Sequence, residues 1–332
     1  MTYNVENLFD GTHHMAPDGK PLDDWPYTPL NFAGKNEGCT DSIMARGNPH
    51  WSEGLRHKLY TDCIRSDYNE AKFQLKLDHI SQVITNKGEE PLPDIIALTE
   101  ITSHKSVEAL AHKLQYDSFY KTNNTSTTRG LNVAIMFNSN NENLKILSLE
   151  SYHLPSQKEF RDVLGALFDF NGQKIALLVA HWPAPYNPKE ERAQISEFML
   201  NKAIDLQKMG YKVILTGDFN TTEIEEKHYN EVFKQSGFKD SFDYAQTMGM
   251  NLNAPGSHFF KKDRQWNRLD HIYFSNSLLS EKKFRFFDLM VRDFASKIYQ
   301  EQKIPFATNL ETSSEDAFGF SDHFPMQLIL DL

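Results

Sequence analysis

Short apolar runs that end in acidic, amide or imidazole side chains recur along this chain and constrain its fold more than any other feature. "DIIALTE" ends in Glu100, "KIALLVAHW" ends beside His181, and "KVILTGDFN" ends in Asp218 and Asn220. Runs of this length with flanking turn residues are typical of buried β-strands. Each of these strands is therefore expected to deliver polar side chains at its C-terminal end.

Two later runs show the reverse order. Asp270 precedes the apolar residues of "RLDHIYF", and Asp322 and His323 precede those of "SDHFPMQLIL". A strand that begins where its neighbours end is antiparallel to them, so strands of both directions can bring these groups to one side of a sheet. Catalytic residues are commonly held at such positions by a rigid scaffold. We therefore expect a functional site where these strand ends meet.

The remaining segments predict a mixed α and β protein. Apolar residues at helical spacing predict helices over residues 68–85, 104–115, 188–208 and 223–236. Further strands are predicted in "LNVAIMF", "LKILSLESYHL", "EFRDVLGALFDF" and "KKFRFFDLMV". Residues 11–66 are rich in Gly, Pro, Asp and Asn and lack a sustained period, which predicts a long surface insertion pinned by its aromatic residues. We expect residues 1–332 to form a single domain that carries this insertion.

Composition excludes some classes of protein. Hydrophobic residues make up 39% and charged residues 24% of the 332-residue chain, as in ordinary globular proteins. No apolar run approaches the ~20 residues that span a bilayer, so stable membrane insertion is not expected. The net charge of −10 argues against broad electrostatic adhesion to nucleic acid or anionic membranes, although a local basic patch stays compatible with it.

Two cysteines, Cys39 and Cys63, both lie in the predicted insertion. A disulfide between them would close a moderate loop and stabilise the fold by roughly 3 kcal/mol through chain entropy. Two unrelated thiols in a reducing compartment are the equal alternative. No C-x-x-C spacing occurs, which argues against a structural zinc site.

Six short motifs in order resemble the signatures of the endonuclease/exonuclease/phosphatase superfamily, which includes deoxyribonuclease I, exonuclease III and the neutral sphingomyelinases. They are "TYNVENLF", "PDIIALTE", "AHWPAP", "TGDFN", "NRLDHIYFS" and "SDHFP". The resemblance implies an α+β fold, a four-layer α/β/β/α sandwich of two mixed β-sheets flanked by helices. It also implies hydrolysis of a phosphate ester that depends on Mg²⁺ or Mn²⁺, with Ca²⁺ as an alternative.

By the same resemblance, the expected catalytic residues are His181, Asp218, Asn220, Asp270 and His323. Asp218 is expected to orient or deprotonate the attacking water, beside which Asn220 would hold the phosphate or the water. His323 is expected to pair with Asp270, which would fix the tautomer of the imidazole. His181 is expected to hydrogen-bond the phosphate or to assist the leaving oxygen.

The resemblance also implies metal ligands at Glu100, Asn4, Glu6 and Asp322. Glu100 holds the position that the family uses as its first ligand. Glu6 follows less firmly, because some relatives lack an acid there. Oxygen ligands suit hard divalent cations, which neutralise an anionic phosphodiester.

Contacts to phosphate or substrate are expected from Arg161, Arg129, Trp266 and Arg268. The last two belong to "FFKKDRQWNR", where basic and aromatic residues alternate as in segments that bind a nucleic-acid backbone and stack on its bases. Many relatives carry an acid two residues after Gly130, which steadies the histidine. This chain has Asn132 there, which leaves open what orients His181.

Each residue also has a purely structural interpretation. Asn220 could cap a following helix, His181 could pack against Trp182, and Arg161 could be a solvated strand residue. Asp270 could be a strand-end acid that a turn satisfies, and "SDHFP" could be an ordinary turn. What favours a functional site is that these groups recur at the ends of several strands.

The substrate is predicted less directly than the reaction. The Pro-Ala-Trp-Cys-Asp-Arg signature of the phosphatase branch is missing from the position of "WNRLDHI", and no convincing membrane-binding hairpin is evident. We therefore expect a nuclease, most simply a monomeric DNA endonuclease, with DNA favoured over RNA. A sphingomyelinase-like enzyme and a catalytically inactive binding protein on the same fold are the alternatives. Relatives with the opening "YNVENLFD" are often exported, which favours a periplasmic or secreted protein.

Overall fold

The computed structural model describes residues 1–16, 19–47, 51–123, 130–155, 160–221, 223–279, 284–312 and 314–331. In chain order its strands are β1 (Thr2–Leu8), β2 (Ile95–Ile101), β3 (Ser118–Lys121), β4 (Asn132–Phe137), β5 (Leu144–Tyr152), β6 (Val163–Phe170), β7 (Gln173–His181), β8 (Lys212–Asp218), β9 (Phe238–Asp240), β10 (His258–Phe260), β11 (Gln265–Asn267), β12 (Asp270–Ser275), β13 (Phe284–Leu289), β14 (Ser296–Tyr299), β15 (Gln302–Pro305) and β16 (Met326–Leu330). Its α-helices are α1 (Lys35–Cys39), α2 (Glu53–Arg65), α3 (Glu70–Thr85), α4 (His104–Lys113), α5 (Lys189–Lys208), α6 (Glu223–Gln235), α7 (Ser241–Thr247) and α8 (Glu315–Phe318).

Two mixed six-stranded sheets form the centre of the protein. The first sheet has the strand order β13-β16-β1-β2-β4-β3, and the second has the order β5-β6-β7-β8-β12-β9. One central pair in each sheet is parallel, β1 with β2 and β7 with β8, while the other pairs are antiparallel. The predicted arrangement of strands that begin and end at one side of the molecule is confirmed.

Apolar side chains fill three layers between the elements. One cluster lies between the two sheets and includes Val133, Ile135, Leu164 and Val179. A second cluster joins the first sheet to α3 and α4, and a third joins the second sheet to α5 and α6. The resulting order, helices, sheet, sheet and helices, confirms the predicted four-layer sandwich.

Helix α3 illustrates how local sequence sets an element and its outer layer. The Asn69 side chain accepts a hydrogen bond from the backbone N–H of Lys72, and Asn86 ends the helix in a left-handed conformation. Between these caps, Phe73, Leu77 and Ile80 recur at helical spacing and are fully buried against the first sheet. The predicted helix over residues 68–85 is confirmed with a start two residues later.

The segment 11–66 is more regular than expected. Its principal element is the 13-residue helix α2, and a π-helical turn continues α1 over Thr40–Ala45. Cys39 and Cys63 form a disulfide in a small core that also contains Trp25 and Ile43. The lack of a sustained period did not indicate α2, because only Cys63 of that helix is fully buried, while Leu59, Tyr60 and Ile64 are only partly buried.

Two short hairpins complete the fold; a hairpin tip was one interpretation of the "FFKKDRQWNR" segment, whereas β14–β15 was not predicted. β10 pairs with β11, and β14 pairs with β15, each over three or four residues. Strands this short carry too few residues to display a period. In the part of the chain that the structure describes, no helix is long and apolar enough to cross a bilayer.

The disulfide generates a prediction about the stability of this segment. Replacing Cys63 with Ser should lower the free energy of unfolding by up to about 3 kcal/mol, because the bridge closes a loop with a sequence separation of 24. Chemical denaturation of the wild type and of Cys63→Ser measures this difference. Intact-mass analysis after alkylation is the accompanying check, and two freely alkylated thiols in natively purified protein would contradict the bridge.

Candidate active site

Three strands of the second sheet align His181, Asp218 and Asp270 in one row. His181 at the end of β7 pairs in register with Asp218 at the end of β8, and Asp218 pairs with Asp270 at the start of β12. Directly opposite residues on neighbouring strands point to the same face, so the row collects an imidazole and two carboxylates. Gly217 permits this close pairing, since a Cβ there would lie 1.9 Å from the Ala180 carbonyl oxygen and its φ is +130°.

The first sheet contributes Asn4 and Glu100 to the same place. The Asn4 amide Nδ2 donates to Asp218 Oδ2 at 2.8 Å and to Glu100 Oε1 at 3.4 Å. The Asn4 Oδ1 accepts the Glu6 backbone N–H at 2.9 Å, which fixes the orientation of the amide. His181 Nε2 lies 3.6 Å from Asp218 Oδ2 and 3.9 Å from Glu100 Oε1.

The "SDHFP" segment adds His323 and its partner. His323 Nδ1 lies 2.5 Å from Asp270 Oδ2, so the predicted His–Asp pair is confirmed. The Ser321 hydroxyl donates to the Asn4 carbonyl oxygen at 2.7 Å and accepts the His323 backbone N–H at 3.2 Å. Burial lowers the pKa of His323, but the negative charges of Asp270 and Asp322 raise it well above its ordinary value. These carboxylates therefore favour the protonated form of the imidazole.

Four residues at this site have left-handed backbone conformations. The φ angles are +49° at Glu6, +59° at Asn7, +66° at Glu100 and +51° at Asn220. Such angles are uncommon outside glycine, especially for glutamate. The Asn7 backbone N–H donates to Glu100 Oε2 at 2.8 Å, so these turns aim backbone donors at the carboxylates. Strain gathered in this way is typical of functional sites.

Asn220 supports Asp218 through its backbone. Its N–H donates to Asp218 Oδ1 at 2.9 Å, while its side-chain Nδ2 donates to the Trp182 carbonyl oxygen at 3.1 Å. Asp218 thus receives hydrogen bonds from two directions, from Asn220 and from Asn4.

The site concentrates negative charge in a buried place. Burial, together with the charges of Asp270 and Glu100, raises the pKa of Asp218 to about 7. Burial and the charge of Glu100 likewise raise the pKa of Asp322. Lys76 lies behind the site, and burial lowers the pKa of its ammonium group. Ionised carboxylates crowded in this way favour the binding of a cation.

The residues present fit a hard divalent cation. One donor atom from each of Glu100, His181 and Asp218 lies within 4.8 Å of the others. Carboxylate oxygens dominate this set, as Mg²⁺ and Mn²⁺ prefer. Asn4 was predicted as a ligand, but its NH₂ group faces the two carboxylates, so in this geometry it orients them.

One cleft of about 940 Å³ is lined by Glu100, His181, Asp218, Asn220, Asp322 and His323. Arg161 also lines it, and its Nη1 donates to the His181 carbonyl oxygen at 3.3 Å. Three exposed apolar side chains rim the cleft, with exposed fractions of 78% for Tyr186, 83% for Ile224 and 44% for Phe260. The cleft therefore combines an acidic floor with an apolar rim.

Glu6 was predicted as a metal ligand but does not belong to the donor set of Glu100, His181 and Asp218. Its Oε2 accepts the Thr308 backbone N–H at 2.6 Å. Burial and the charge of Asp322 raise its pKa to about 8. In this geometry Glu6 contributes to the electrostatics of the site and ties β1 to the segment that contains Thr308.

The predicted substrate contacts in the "FFKKDRQWNR" segment are not brought to the cleft. Arg268 Nη1 is paired with Glu226 Oε1 at 3.2 Å and with Asp243 Oδ1 at 3.1 Å. The Trp266 Nε1 donates to Gln302 Oε1 at 2.8 Å, and its ring packs on Phe324. Both residues border a neighbouring cavity instead.

Two further predictions concern the start of β4 and the residues before it. Arg129 lies outside the described residues, so its expected contact with phosphate stays a prediction. Asn132, which stands where many relatives carry an acid, donates to the Gly130 carbonyl oxygen at 2.7 Å and accepts from Thr122 Oγ1 at 3.1 Å. Asn132 thus secures the start of β4.

Sequence reasoning missed His271, which is fully buried next to Asp270. Its Nδ1 lies 3.0 Å from Asp240 Oδ2, and its Nε2 lies 3.2 Å from Thr221 Oγ1. Burial lowers the pKa of His271, but the hydrogen bond and charge of Asp240 raise it above its ordinary value. His271 therefore anchors the turn that follows Asn220, and the apolar pattern of "LDHIYF" gave no signal for it.

His258 was missed as well. It lines the cleft and forms an isolated antiparallel bridge with His323. Burial and the positive charge of His323 lower its pKa to about 3, so its imidazole is neutral. Only its position before the "RLDHI" strand could have indicated a role.

The model of the Endonuclease/Exonuclease/phosphatase family matches residues 53–331, which is most of the chain. The chain belongs to the endonuclease/exonuclease/phosphatase family. This family comprises hydrolases that act on phosphodiester bonds and generally depend on a divalent metal. No curated protein sequence matches the chain.

Solved structures of the endonuclease/exonuclease/phosphatase fold align with most of the protein. TDP2 from Caenorhabditis elegans has 19% identity and a TM-score of 0.52, and the alignment covers 77% of this chain and 91% of that one. TDP2 from D. rerio, complexed with a single-strand DNA product, has 18% identity, a TM-score of 0.54 and coverage of 78% and 92%. A family protein from Bacteroides thetaiotaomicron has 16% identity, a TM-score of 0.53 and coverage of 78% and 90%. At these identities the likeness shows the fold alone.

The raised pKa of Asp218 generates a prediction about metal and pH. Without metal, folded Asp218 keeps a proton that the unfolded chain loses, so stability should fall as pH rises from about 4 to about 7. A divalent cation binds the ionised carboxylate and reverses this loss. Mn²⁺ should therefore raise the melting temperature more at about pH 8 than at about pH 6.

Thermal melts with Mn²⁺ or chelator at the two pH values measure this effect. Asp218→Asn is the control, and it should reduce the pH dependence of the Mn²⁺ shift because it removes the titrating carboxylate. An equal Mn²⁺ shift at both pH values in the wild type would contradict the prediction.

Proposed function

We propose that this protein is a divalent-cation-dependent phosphodiesterase that cleaves nucleic acid, and that it acts on DNA as an endonuclease. The observation that carries the proposal is that Glu100, His181, Asp218 and His323 line one cleft, with Asp270 paired to His323 beneath them. Buried acids and imidazoles with shifted pKa values in a cleft mark acid–base sites. The family supplies the reaction class, hydrolysis of a phosphodiester.

The residues of the cleft divide the reaction between them. Asp218, held by Asn4 and by the Asn220 N–H, accepts a proton from the attacking water, whose oxygen bonds to phosphorus. A pKa near neutral suits a general base. The His323 imidazolium, fixed by Asp270, donates a hydrogen bond to a non-bridging phosphate oxygen as negative charge develops there.

The bond to the leaving oxygen breaks on the opposite side of phosphorus. His181 lies within 4 Å of both Asp218 and Glu100, where it can hydrogen-bond the phosphate or the departing oxygen. A divalent cation held by Glu100 and Asp218 would neutralise charge on the phosphate. Mg²⁺ and Mn²⁺ both suit this oxygen-rich set, and the proposal includes either ion.

The β10–β11 hairpin supports a nucleic-acid substrate. Its turn carries Lys261, Lys262 and Arg264, all exposed, and Phe260 beside them rims the cleft. Basic side chains next to an exposed aromatic ring suit a phosphate backbone whose bases stack on the ring. This local patch offsets the overall charge of −10, and it replaces Trp266 and Arg268 as the expected contact surface.

A lipid phosphodiester is the second candidate. Ile298 on the β14–β15 hairpin is 69% exposed, and Lys297 is exposed next to it. β15 contacts β10, so this hairpin borders the same wall of the cleft. An exposed apolar residue next to a lysine is a feature of surfaces that bind membranes.

The test is hydrolysis of circular DNA, RNA, sphingomyelin vesicles and inositol phosphates with Mg²⁺, Mn²⁺, Ca²⁺ or chelator. We expect nicking of circular DNA with Mg²⁺ or Mn²⁺ and none in chelator, because the carboxylates need a cation to admit an anionic phosphate. Activity that survives chelator would overturn the mechanism. Cleavage of sphingomyelin without cleavage of DNA or RNA would overturn the substrate.

A double variant strengthens this test. Lys261→Ala with Lys262→Ala should reduce the slope of log(kcat/KM) against log[salt] for DNA by about 2, one for each lost phosphate contact. The control is Lys174→Ala with Lys208→Ala, since both of these exposed residues lie away from the cleft, at the start of β7 and the end of α5. Equal slopes in the two variants would remove the hairpin from the binding surface.

The His323–Asp270 pair generates a kinetic prediction. His323→Ala should lower kcat at least ~10²-fold, the usual scale for a lost acid–base or charge-stabilising group. Asp270→Asn should impair the same step, and the double variant should be little worse than His323→Ala, because the two residues act as a unit. Steady-state kinetics on the cleaved substrate measure the three variants.

His57→Ala is the control for histidine loss, since His57 is exposed and lies 3.9 Å from Glu53 on α2. It should keep the kcat of the wild type. If His323→Ala keeps a near-normal kcat, or mainly unfolds the protein in thermal melts, then "SDHFP" is an ordinary turn and the proposed role of His323 is wrong.

A further inference from the structure

His258 and His323 stand side by side on one wall of the cleft. Their backbones form an antiparallel bridge, and the two ring centroids are 5.0 Å apart. The Ser257 carbonyl oxygen accepts the Phe324 N–H at 2.8 Å, and the Ser257 hydroxyl accepts the Asp270 N–H at 3.2 Å. Hydrogen bonds to both neighbouring segments thus fix the place of His258.

Asp322 completes a three-residue group with these histidines. One donor atom from each of His258, Asp322 and His323 lies within 4.8 Å of the others. His323 uses Nδ1 for Asp270, so Nε2 is its remaining nitrogen, and it lies 3.8 Å from Asp322 Oδ1. Ligands at 2.0–2.1 Å around tetrahedral Zn²⁺ are about 3.3 Å apart, so a small side-chain rotation would bring these atoms to a shared ion.

His258 has donor capacity that the protein does not use. Among the described residues, its buried Nδ1 has no hydrogen-bond partner, which is costly for a polar atom. His323 in turn has the arrangement of a metal-binding histidine, because a carboxylate holds its other ring nitrogen.

This donor set differs in chemistry from the one around Glu100 and Asp218. Two imidazoles and one carboxylate form a borderline set, which Zn²⁺ binds far better than Mg²⁺ or Ca²⁺ does. Three protein ligands would leave a fourth position open to the cleft.

We propose that His258, Asp322 and His323 form a second cation site, which binds Zn²⁺ or a similar transition-metal ion and thereby inhibits hydrolysis. Inhibition rests on the proposed function, because it follows from the role of His323 in that reaction. Binding of the ion displaces the Nε2 proton of His323 to solvent, and this nitrogen then no longer donates to a phosphate oxygen. The existence of the site does not depend on that role.

Zn²⁺ binding tests the site without a measurement of activity. The protein is first stripped of metal, and Zn²⁺ binding is then measured by equilibrium dialysis in excess Mg²⁺. His258→Phe keeps a ring against His323 and removes the nitrogens, and His57→Ala is the control. The wild type and the control should bind one Zn²⁺ more than His258→Phe, or bind it at least ~10-fold more tightly. Asp322→Asn should weaken Zn²⁺ binding similarly. If His258→Phe does not fold, Asp322→Asn tests whether Zn²⁺ binds at this site.

Inhibition is tested on each protein relative to its own rate with Mg²⁺. The Zn²⁺ concentration for half-inhibition should rise at least ~10-fold in His258→Phe. Equal Zn²⁺ binding in the wild type and both variants would show that the proposed site does not exist. Equal inhibition of the wild type and His258→Phe would show that Zn²⁺ does not inhibit by binding His323 at this site. Zn²⁺ binding that needs His258 in a protein that cleaves no phosphodiester supports the site and rejects the proposed function instead.

Discussion

One buried hydrogen bond, from the Asn4 amide to Asp218, joins the two sheets at the cleft. Asn4 lies on β1 of the first sheet, and the same residue also contacts Glu100 and accepts the Ser321 hydroxyl that holds the backbone of His323. A buried hydrogen bond to a carboxylate contributes about 1.5–3 kcal/mol, and losing one partner leaves the other unsatisfied. A side chain that arranges the site therefore also holds the two sheets together at the cleft, in addition to the apolar cluster between them.

The same place bears the main electrostatic cost of the fold. Burial disfavours the ionised forms of Asp218 and Asp322, and the negative charge of Glu100 raises the pKa of both carboxyls, as that of Asp270 does for Asp218. The His323 imidazolium and the Lys76 ammonium offset part of this repulsion. A bound cation would offset more, so the stability of the protein and its capacity for chemistry depend on the same charges.

Much of this arrangement could be predicted from sequence, because the apolar runs that form β2, β7, β8 and β12 are long enough to identify. Each carries its polar residue at the end that the fold brings to the cleft. His271 and His258 could not be predicted in this way, because their partners are distant in sequence. Asp240, the partner of His271, lies on β9, and His258 pairs with His323. Arg268 was misjudged for the same reason, because the carboxylates that hold it come from α6 and α7.

The topology of the first sheet also governs when the cleft can form during synthesis. β1 lies between β2 and β16, so residues 2–8 cannot complete their strand pairing until residues 326–330 have been made. Asn4 and His323 are separated by nearly the whole chain, and contacts of such long range form late in folding. A nascent chain on the ribosome therefore lacks the complete cleft until residue 323 has emerged, so no shorter N-terminal portion of the chain holds all of the site residues.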